Sequence, residues 1–176
     1  MSDIVTRARA FAEKAHAGQI RKGELREPYI IHLQEVAAYV AQYGGDAETQ
    51  AAAWLHDTVE DCDTTDSDLR AAFGARVADI VRELTDDKSQ PKAARKAQQV
   101  ASAPHKSADA ALVKCCDKMS NVRALRLSPP AAWDQGRRAA YLDWAEAVVA
   151  ALPAGADPAR PQFRIELAAS RAALAP

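Results

Sequence analysis

The residues WLHDTVED (54–61) place one histidine and three carboxylates at the end of an alanine-rich, apolar segment. Charged groups cost free energy when they leave water without partners. Acceptors crowded this closely repel one another unless a cation joins them, so the segment predicts either a solvated helix end or a metal site. If one helix continues through the segment, Glu60 lies one turn beyond His56 and Asp61 one turn beyond Asp57. One layer could then bind a metal while the next handles the protons of a bound water or a leaving group.

A second candidate lies in VKCCDKMSNV (113–122), where Lys114, Asp117, Lys118 and Asn121 share an arc about 100° wide on a helical wheel. A solvent-facing stripe is the simplest interpretation for the two lysines. Asp117 and Asn121 are flanked on both sides by apolar side chains. Asp117 is therefore a candidate for the third or fourth ligand of the metal.

The remaining histidines give weaker signals. His32 follows Pro28-Tyr29 near the predicted start of a helix. A single histidine in such a place is more often structural than a ligand, and the residues alone leave both roles open. We expect His105 in a surface turn, and His16 in packing or in orienting a loop.

The elements that must position these residues all have helical spacing. Alanine dominates the apolar residues and glycines number only 7, which favours helix over strand. We predict an all-α bundle of roughly eight to ten helices, without internal repeats.

Helix boundaries follow from capping residues. We predict N-caps at Ser2, at Asp46, and at Thr65 with Asp68 completing a capping box, and helix ends at Gly44-Gly45 and Gly74. The helix capped by Asp46 should continue through residue 61.

Other boundaries follow from proline, glycine and charge. Residues 17–30 form a basic loop, Pro91 opens a short basic helix, and a long helix covers about 108–127. A further helix follows Ser128-Pro129-Pro130 and carries Trp133. The stretch PAGADPARP (153–161) is a linker to a final short helix around 163–174.

Composition limits the class of protein. The chain has 176 residues, 48% of them hydrophobic and 27% charged, as in a soluble single domain. The formal net charge of −1 argues against wholesale nucleic-acid binding. Three cysteines, two of them adjacent, do not form a disulfide framework, and no apolar run reaches membrane-spanning length, so we expect a cytoplasmic protein. No helix face is apolar enough to predict an oligomer.

Four motifs in order give the chain a resemblance to a known family. AHAGQIRKGELREPYIIH, LHDTVED, LTDDKSQPKAARKAQQV and VKCCDKMSNVRAL are followed by a helix that contains tryptophan. This order resembles the HD-domain (p)ppGpp hydrolases of the RelA/SpoT group, and among them the stand-alone small alarmone hydrolases of the metazoan SpoT homologue type. The resemblance covers about residues 5–152.

The resemblance implies a role for each matching position. It implies one metal ion, usually Mn²⁺ with Fe²⁺ or Zn²⁺ as alternatives, bound by His32, His56, Asp57 and Asp117. It makes Glu60 and Asp61 the catalytic acidic pair. It assigns nucleotide contacts to Arg21, Lys22 and Asn121, with Lys114 and Lys118 as weaker phosphate neighbours and with Lys88, Lys92, Arg95 and Lys96 as further cations for the polyanion.

The implied reaction is hydrolysis of guanosine 3′,5′-bis(diphosphate) to GDP, or of the pentaphosphate to GTP, with release of pyrophosphate by a metal-activated water. The alternatives are an HD phosphohydrolase on another nucleotide (NADPH 2′-phosphate or a nucleoside monophosphate) and a non-catalytic nucleotide-binding module. In the implied domain organisation, residues 1–152 form the hydrolase domain, and 153–176 form a linker and a helix that packs on it.

Two positions depart from the family pattern. Leu33 stands where proline commonly follows the motif histidine, which we expect to change only the helix start. Cys115-Cys116 replaces the usual Leu-Ala, and a small buried thiol can pack like alanine. An oxidation-sensitive thiol beside the metal is the alternative.

Overall fold

The computed structural model describes residues 3–174, and the predicted cap Ser2 lies outside them. Within that range the chain forms ten α-helices: α1 (Asp3–Ala15), α2 (Ile30–Gln42), α3 (Ala47–Leu55), α4 (Thr58–Asp61), α5 (Asp66–Phe73), α6 (Ala75–Leu84), α7 (Lys92–Ser102), α8 (Ala108–Leu127), α9 (Gln135–Ala151) and α10 (Arg160–Ala172). Two short 3₁₀ turns cover Ala103–His105 and Ala154–Ala156. The all-α prediction and the predicted number of helices are confirmed.

Helix α8 is the centre of the fold. Residues 110–120 are buried on every side of the helix, including its polar members. Helices α2, α3, α6, α9 and α10 all pack against it, and α1 packs on α3. A helix that is buried all round must pair its polar side chains within the core, which already marks Asp117 and its neighbours.

The predicted caps that fall within residues 3–174 are confirmed. Asp46 accepts the Thr49 backbone N–H at 2.9 Å. Thr65 and Asp68 form a reciprocal capping box at the start of α5, and the helix ends at Gly74, whose φ is +90°. Each cap satisfies backbone groups that a helix end leaves without partners.

The predicted continuous helix from Asp46 through residue 61 is wrong. Helix α3 ends at Leu55, His56 and Asp57 form a turn, and α4 begins at Thr58. Side chains take the carbonyls that the helix would have used: His56 Nδ1 lies 2.8 Å from Ala53 O, and Thr58 Oγ1 donates to Leu55 O at 2.7 Å. The turn changes the directions of His56 and Asp57 relative to α3.

Two boundaries near the C-terminus also differ from the prediction. Trp133 lies before α9, not on it, because Asp134 caps the helix by accepting the Arg137 N–H at 2.7 Å. The predicted linker 153–161 contains a 3₁₀ turn packed on α8, and Gly155 approaches the backbone of Ala108 so closely that a Cβ would clash. Helix α10 begins at Arg160, earlier than predicted.

The predicted basic loop between α1 and α2 is confirmed as a loop. It is pinned by an antiparallel bridge between Ile20 and Pro28, and Arg26 has a φ of +49°. No helix in the described part of the chain is long and apolar enough to span a membrane.

Candidate metal centre and substrate cavity

The four predicted metal ligands converge from three parts of the fold. His32 lies on α2, His56 and Asp57 in the turn after α3, and Asp117 on α8. His32 Nε2 lies 3.6 Å from Asp57 Oδ2 and 3.4 Å from Asp117 Oδ1. His56 Nε2 lies 3.1 Å and 3.9 Å from the same two oxygens. Four side chains from three separate parts of the sequence therefore surround one point.

The turn at His56 fixes which ring nitrogen faces that point. Nδ1 lies 2.8 Å from Ala53 O, which can only accept, so Nδ1 carries the proton. In the neutral ring, Nε2 is then the unprotonated nitrogen. It is buried and has no hydrogen-bond partner among residues 3–174. A buried lone pair without a donor is what an absent cation leaves behind.

His32 is oriented by a longer relay. Its Nδ1 lies 2.9 Å from Ser120 Oγ, and Ser120 Oγ donates its single proton to Glu35 Oε2 at 2.8 Å. Ser120 Oγ must therefore accept a hydrogen bond from His32 Nδ1–H, which leaves Nε2 of the neutral His32 ring unprotonated as well. Both imidazoles present a lone pair to the same point.

We expect Ser120→Ala to weaken divalent-metal affinity roughly 10- to 100-fold, because His32 loses the partner that sets its tautomer and orientation. Titration of Mn²⁺ against a competing chelator measures the affinity. Ser170→Ala is the matched control: Ser170 is also buried, but its hydroxyl donates to Val122 O at 2.8 Å, in the α8–α10 contact. Equal affinities for the two variants would contradict the relay.

The same relay reaches the predicted nucleotide contacts. Glu35 pairs with Arg123 at 2.6 Å and with Arg21 at 3.6 Å. Arg21 donates to Asn121 Oδ1 at 3.4 Å, and Asn121 Nδ2 donates to Asp117 Oδ1 at 2.6 Å. Two candidate metal ligands, His32 and Asp117, are thus linked through residues that the sequence assigned to substrate.

At the cluster, burial and the neighbouring charges shift the pKa values in opposite directions. Burial raises the pKa of Asp57, but His56 and His32 outweigh it and hold the pKa well below the usual range. Burial lowers the pKa of His56, but the carboxylates of Asp57 and Asp117 outweigh burial and raise it to about 9, so these oxygens favour a positive charge at Nε2, either a proton or a metal ion. Tyr29 donates its hydroxyl to Asp57 Oδ2 at 2.6 Å, and burial and Asp57 raise the pKa of Tyr29, so it stays a donor.

The expected solvent-facing position of Lys114 and Lys118 is wrong. Both are buried, with 5% and 4% of their surface exposed. Lys118 Nζ lies 3.1 Å from Asp117 Oδ2 and 4.4 Å from the centre of the Trp144 ring, while Lys114 Nζ lies 3.8 Å from the same oxygen. The lysines offset the charge of Asp117 on the side away from the histidines.

The donor set fits a divalent cation. His32 Nε2, His56 Nε2 and a carboxylate oxygen of Asp57 lie within 4.8 Å of one another. Nitrogen and carboxylate donors together suit first-row divalent metals, and they do not make the closed thiolate cage of structural zinc.

The predicted catalytic pair lies on α4, one turn beyond the candidate ligands. Glu60 is partly buried, accepts the Asp86 N–H at 3.1 Å and lies 3.6 Å from Arg95. Burial raises the pKa of Glu60 above its ordinary value. Asp61 is exposed and pairs with Lys88. The structure brings both carboxylates next to the cluster, and their catalytic role stays a prediction.

A cavity of about 550 Å³ opens beside the cluster. Its wall includes the predicted substrate residues Arg21, Lys22 and Asn121, together with Tyr29 and Asp61. Tyr29 and Asn121 each contact a candidate metal ligand, so a molecule in this cavity would lie one residue away from the metal centre.

An aromatic wall lines part of this cavity, and cations surround the wall. The sequence had indicated Lys92 and Lys96 among these cations, but not Arg137 or the part that Trp133 and Tyr141 play. Trp133 and Tyr141 line the cavity, and Arg137 lies over the Trp133 ring at 4.4 Å. Lys92 and Lys96 of α7 lie over the rings of Trp133 and Trp144 at 5.8 Å and 4.6 Å. In the sequence, Trp133, Arg137 and Tyr141 follow one another at intervals of four residues. This spacing was the signal that could have revealed the wall.

The remaining candidates are structural. Cys115 and Cys116 are fully buried, and burial raises the pKa of both thiols, that of Cys115 to about 12, which supports packing over oxidation sensitivity. His105 is exposed in a 3₁₀ turn, as predicted. His16 is buried, bonds to Gln19 at 2.8 Å and stacks on Tyr29, which fits the predicted role in orienting the loop.

Comparison with known proteins identifies the family to which the chain belongs. The HD domain profile matches residues 8–143. A protein from Danio rerio named guanosine-3′,5′-bis(diphosphate) 3′-pyrophosphohydrolase MESH1 is 47% identical over 144 residues, which cover 81% of this chain and 80% of that protein. The Homo sapiens protein of the same name is 44% identical over the same shares of the two chains.

A solved structure has the same fold. This structure, described as a metazoan ortholog of SpoT that hydrolyzes ppGpp, superposes with a TM-score of 0.86 and 34% identity over 94% of this chain and 96% of that one. The profile match, the relatives and this fold, together with the converging histidines and aspartates, show that the chain belongs to the HD domain family.

Proposed function

We propose that this protein hydrolyses guanosine 3′,5′-bis(diphosphate) to GDP and pyrophosphate, and the corresponding pentaphosphate to GTP and pyrophosphate. The names of its relatives support this reaction. The site itself supports a polyanionic substrate that meets a metal centre.

One observation carries the proposal from the chain's own residues. Lys22, Lys92, Lys96 and Arg137 surround the 550 Å³ cavity or its aromatic wall, and among residues 3–174 none of them pairs with a carboxylate. Burial and the neighbouring cations Arg137 and Lys22 lower the pKa of Lys92. Clustered cations without counter-charges favour a ligand with several phosphate groups.

His32, His56, Asp57 and Asp117 would hold the cation, which we propose to be Mn²⁺. Once bound, the cation would lower the pKa of a water and neutralise charge on the phosphoryl oxygens. The lone pairs on both Nε2 atoms are already directed to it by Ala53 O and Ser120. These residues therefore need little rearrangement to bind the ion.

We assign the proton transfers of the reaction to Glu60 and Asp61. A water attacks the phosphorus attached to the 3′ oxygen, a new P–O bond forms, and the bond from phosphorus to the 3′ oxygen breaks. Glu60, whose pKa is raised by burial, takes the proton of the water. Asp61, held by Lys88 at the edge of the cavity, steers the proton toward the leaving 3′ oxygen.

The nucleoside would lie in the 550 Å³ cavity. The rings of Trp133 and Tyr141 offer apolar surface for a base, and Arg21, Lys22 and Asn121 offer donors to the ribose and phosphates. Lys118 and Lys114 lie next to Asp117 Oδ2, so we propose that they offset its charge and stay within reach of the substrate phosphates.

A product assay tests the reaction. With Mn²⁺ and guanosine 3′,5′-bis(diphosphate) we expect equal amounts of GDP and pyrophosphate, resolved by anion-exchange chromatography. Chelation with EDTA should stop the release, and added Mn²⁺ should restore it. Orthophosphate from NADPH, with no pyrophosphate from the guanosine nucleotide, would contradict the proposal.

Three smaller proposals accompany this one. We keep residues 1–152 as the hydrolase domain and 153–176 as a segment that packs on it. The three cysteines are unpaired, which suits a cytoplasmic location. The substrate is a small guanine nucleotide, and neither nucleic acid nor a membrane is required.

A further inference from the structure

A second cavity lies on another side of the metal centre. Its volume is about 670 Å³, and it is bounded by the end of α6, the loop after it, α7 and the start of α8. None of the residues that line it also lines the 550 Å³ cavity. The reaction described so far does not use it.

Two lysines in this cavity form no short ion pair within residues 3–174, although the charges of Glu83 and Asp86 act on Lys106. Lys114 Nζ has Leu84 O at 3.4 Å as its hydrogen-bond acceptor, and its ion pair with Asp117 is long, at 3.8 Å. Lys106 Nζ donates to the carbonyl of Glu83, and it forms no ion pair in the described part of the chain. Burial and then repulsion from Lys114 lower the pKa of Lys106 to about 8. An anion between the two ammonium groups would relieve that repulsion.

The carboxylates on the same wall are already engaged. Glu83 Oε2 accepts the Ser107 N–H at 2.7 Å, Asp86 Oδ2 accepts from Gln99 at 2.5 Å, and Asp87 Oδ1 accepts the Ser89 N–H at 2.9 Å. These donors are neutral, so the three carboxylates keep their charge, and the groups able to bind an anion are the two lysines and Arg95. The Nε of Arg95 is buried without a partner among residues 3–174, and its guanidinium lies 3.6 Å from Glu60.

Asp117 lies between the two cavities. Asn121, from the wall of the first cavity, donates to Asp117 Oδ1, whereas Lys114, from the wall of the second, lies next to Oδ2. Because Lys114 Nζ lies 3.8 Å from Oδ2 of Asp117, whose Oδ1 faces the two histidines, we expect the phosphate next to the reacting phosphorus to be within reach of Lys114.

We propose that the second cavity is the subsite for the distal phosphate of the 3′-diphosphate, with Lys106 and Lys114 as its cationic contacts, and that it selects 3′-diphosphates over 3′-monophosphates. This inference rests on the proposed function. It assigns to Lys106, which the motifs did not single out, a role in substrate specificity.

The test compares two substrates that differ only in the distal phosphate: guanosine 5′-diphosphate 3′-diphosphate and guanosine 5′-diphosphate 3′-monophosphate. For Lys106→Met we expect the ratio of kcat/KM, diphosphate over monophosphate, to fall about tenfold, as for the loss of one charge-assisted hydrogen bond. Lys14→Met, which removes one exposed positive charge from the end of α1, is the control and should leave the ratio unchanged.

A second measurement is independent of turnover. Calorimetric titration of the metal-loaded protein with inorganic pyrophosphate, at fixed free metal, should give an affinity about tenfold weaker in Lys106→Met than in Lys14→Met. If the unsubstituted protein releases pyrophosphate but both the ratio and the affinity are unchanged in Lys106→Met, the subsite is refuted while the function stands. If no pyrophosphate is released, the proposed function fails, and unchanged calorimetric affinity then refutes the subsite as well.

Discussion

Asp57→Asn should weaken Mn²⁺ binding at least about 100-fold, because a metal ligand is lost and not only a residue that orients one. At limiting metal, the rate of pyrophosphate release should fall by a similar factor. Asp57 Oδ2 is the oxygen shared by the two histidines, 3.6 Å from His32 Nε2 and 3.1 Å from His56 Nε2. Asparagine keeps the shape and can still accept the Tyr29 hydroxyl, but it loses the negative charge. Calorimetry for the metal and chromatography for the product measure the two effects.

The control for Asp57→Asn is Asp63→Asn. Asp63 is exposed and lies six residues further along the chain than Asp57. Its substitution therefore removes the same charge from a nearby part of the chain. Its metal affinity and turnover should match those of the unsubstituted protein. Unchanged metal affinity in Asp57→Asn would remove Asp57 from the ligand set.

Glu60→Gln should lower kcat by roughly 10²- to 10⁴-fold, the range for loss of a positioned general base, while metal affinity stays unchanged. Glutamine can still accept the Asp86 N–H that Glu60 accepts at 3.1 Å, so the loop after α6 keeps its anchor. It cannot take a proton from water. Single-turnover kinetics with metal-loaded protein isolates the chemical step.

The matched control here is Glu13→Gln on the exposed surface of α1, where the carboxylate only pairs with Arg9 at 2.8 Å. This substitution should change neither kcat nor metal affinity, because exposed pairs of this kind contribute little. A kcat in Glu60→Gln within a factor of two of the control would assign the proton transfer to another group.

Much of the fold follows from local rules in the sequence. The helical spacing, the Asp46 cap and the Thr65–Asp68 capping box depend on neighbours within a few residues, so the pattern alone predicted them. The convergence of His32, His56, Asp57 and Asp117 came from the ordered motifs of the family resemblance. Spacing alone left His32 open between a ligand and a structural residue.

The errors arise where distant residues decide the structure. The break after Leu55 is the exception, because it depends on the side chains of His56 and Thr58, which bond to carbonyls only three residues away, those of Ala53 and Leu55. Lys114 and Lys118 are on a polar stripe, and they are buried because Leu84 O and the Trp144 ring, from other helices, cover them. Lys106 is one lysine among many in the sequence, and only the packing of α6, α7 and α8 places it beside Lys114. Such positions require the tertiary fold.

The most direct test of the metal centre is an anomalous difference map, recorded at the manganese edge from crystals of the Mn²⁺-loaded protein. We predict one peak about 2.0–2.3 Å from His32 Nε2, His56 Nε2 and carboxylate oxygens of Asp57 and Asp117. A peak held by other residues, or no peak between these four side chains, would contradict the account.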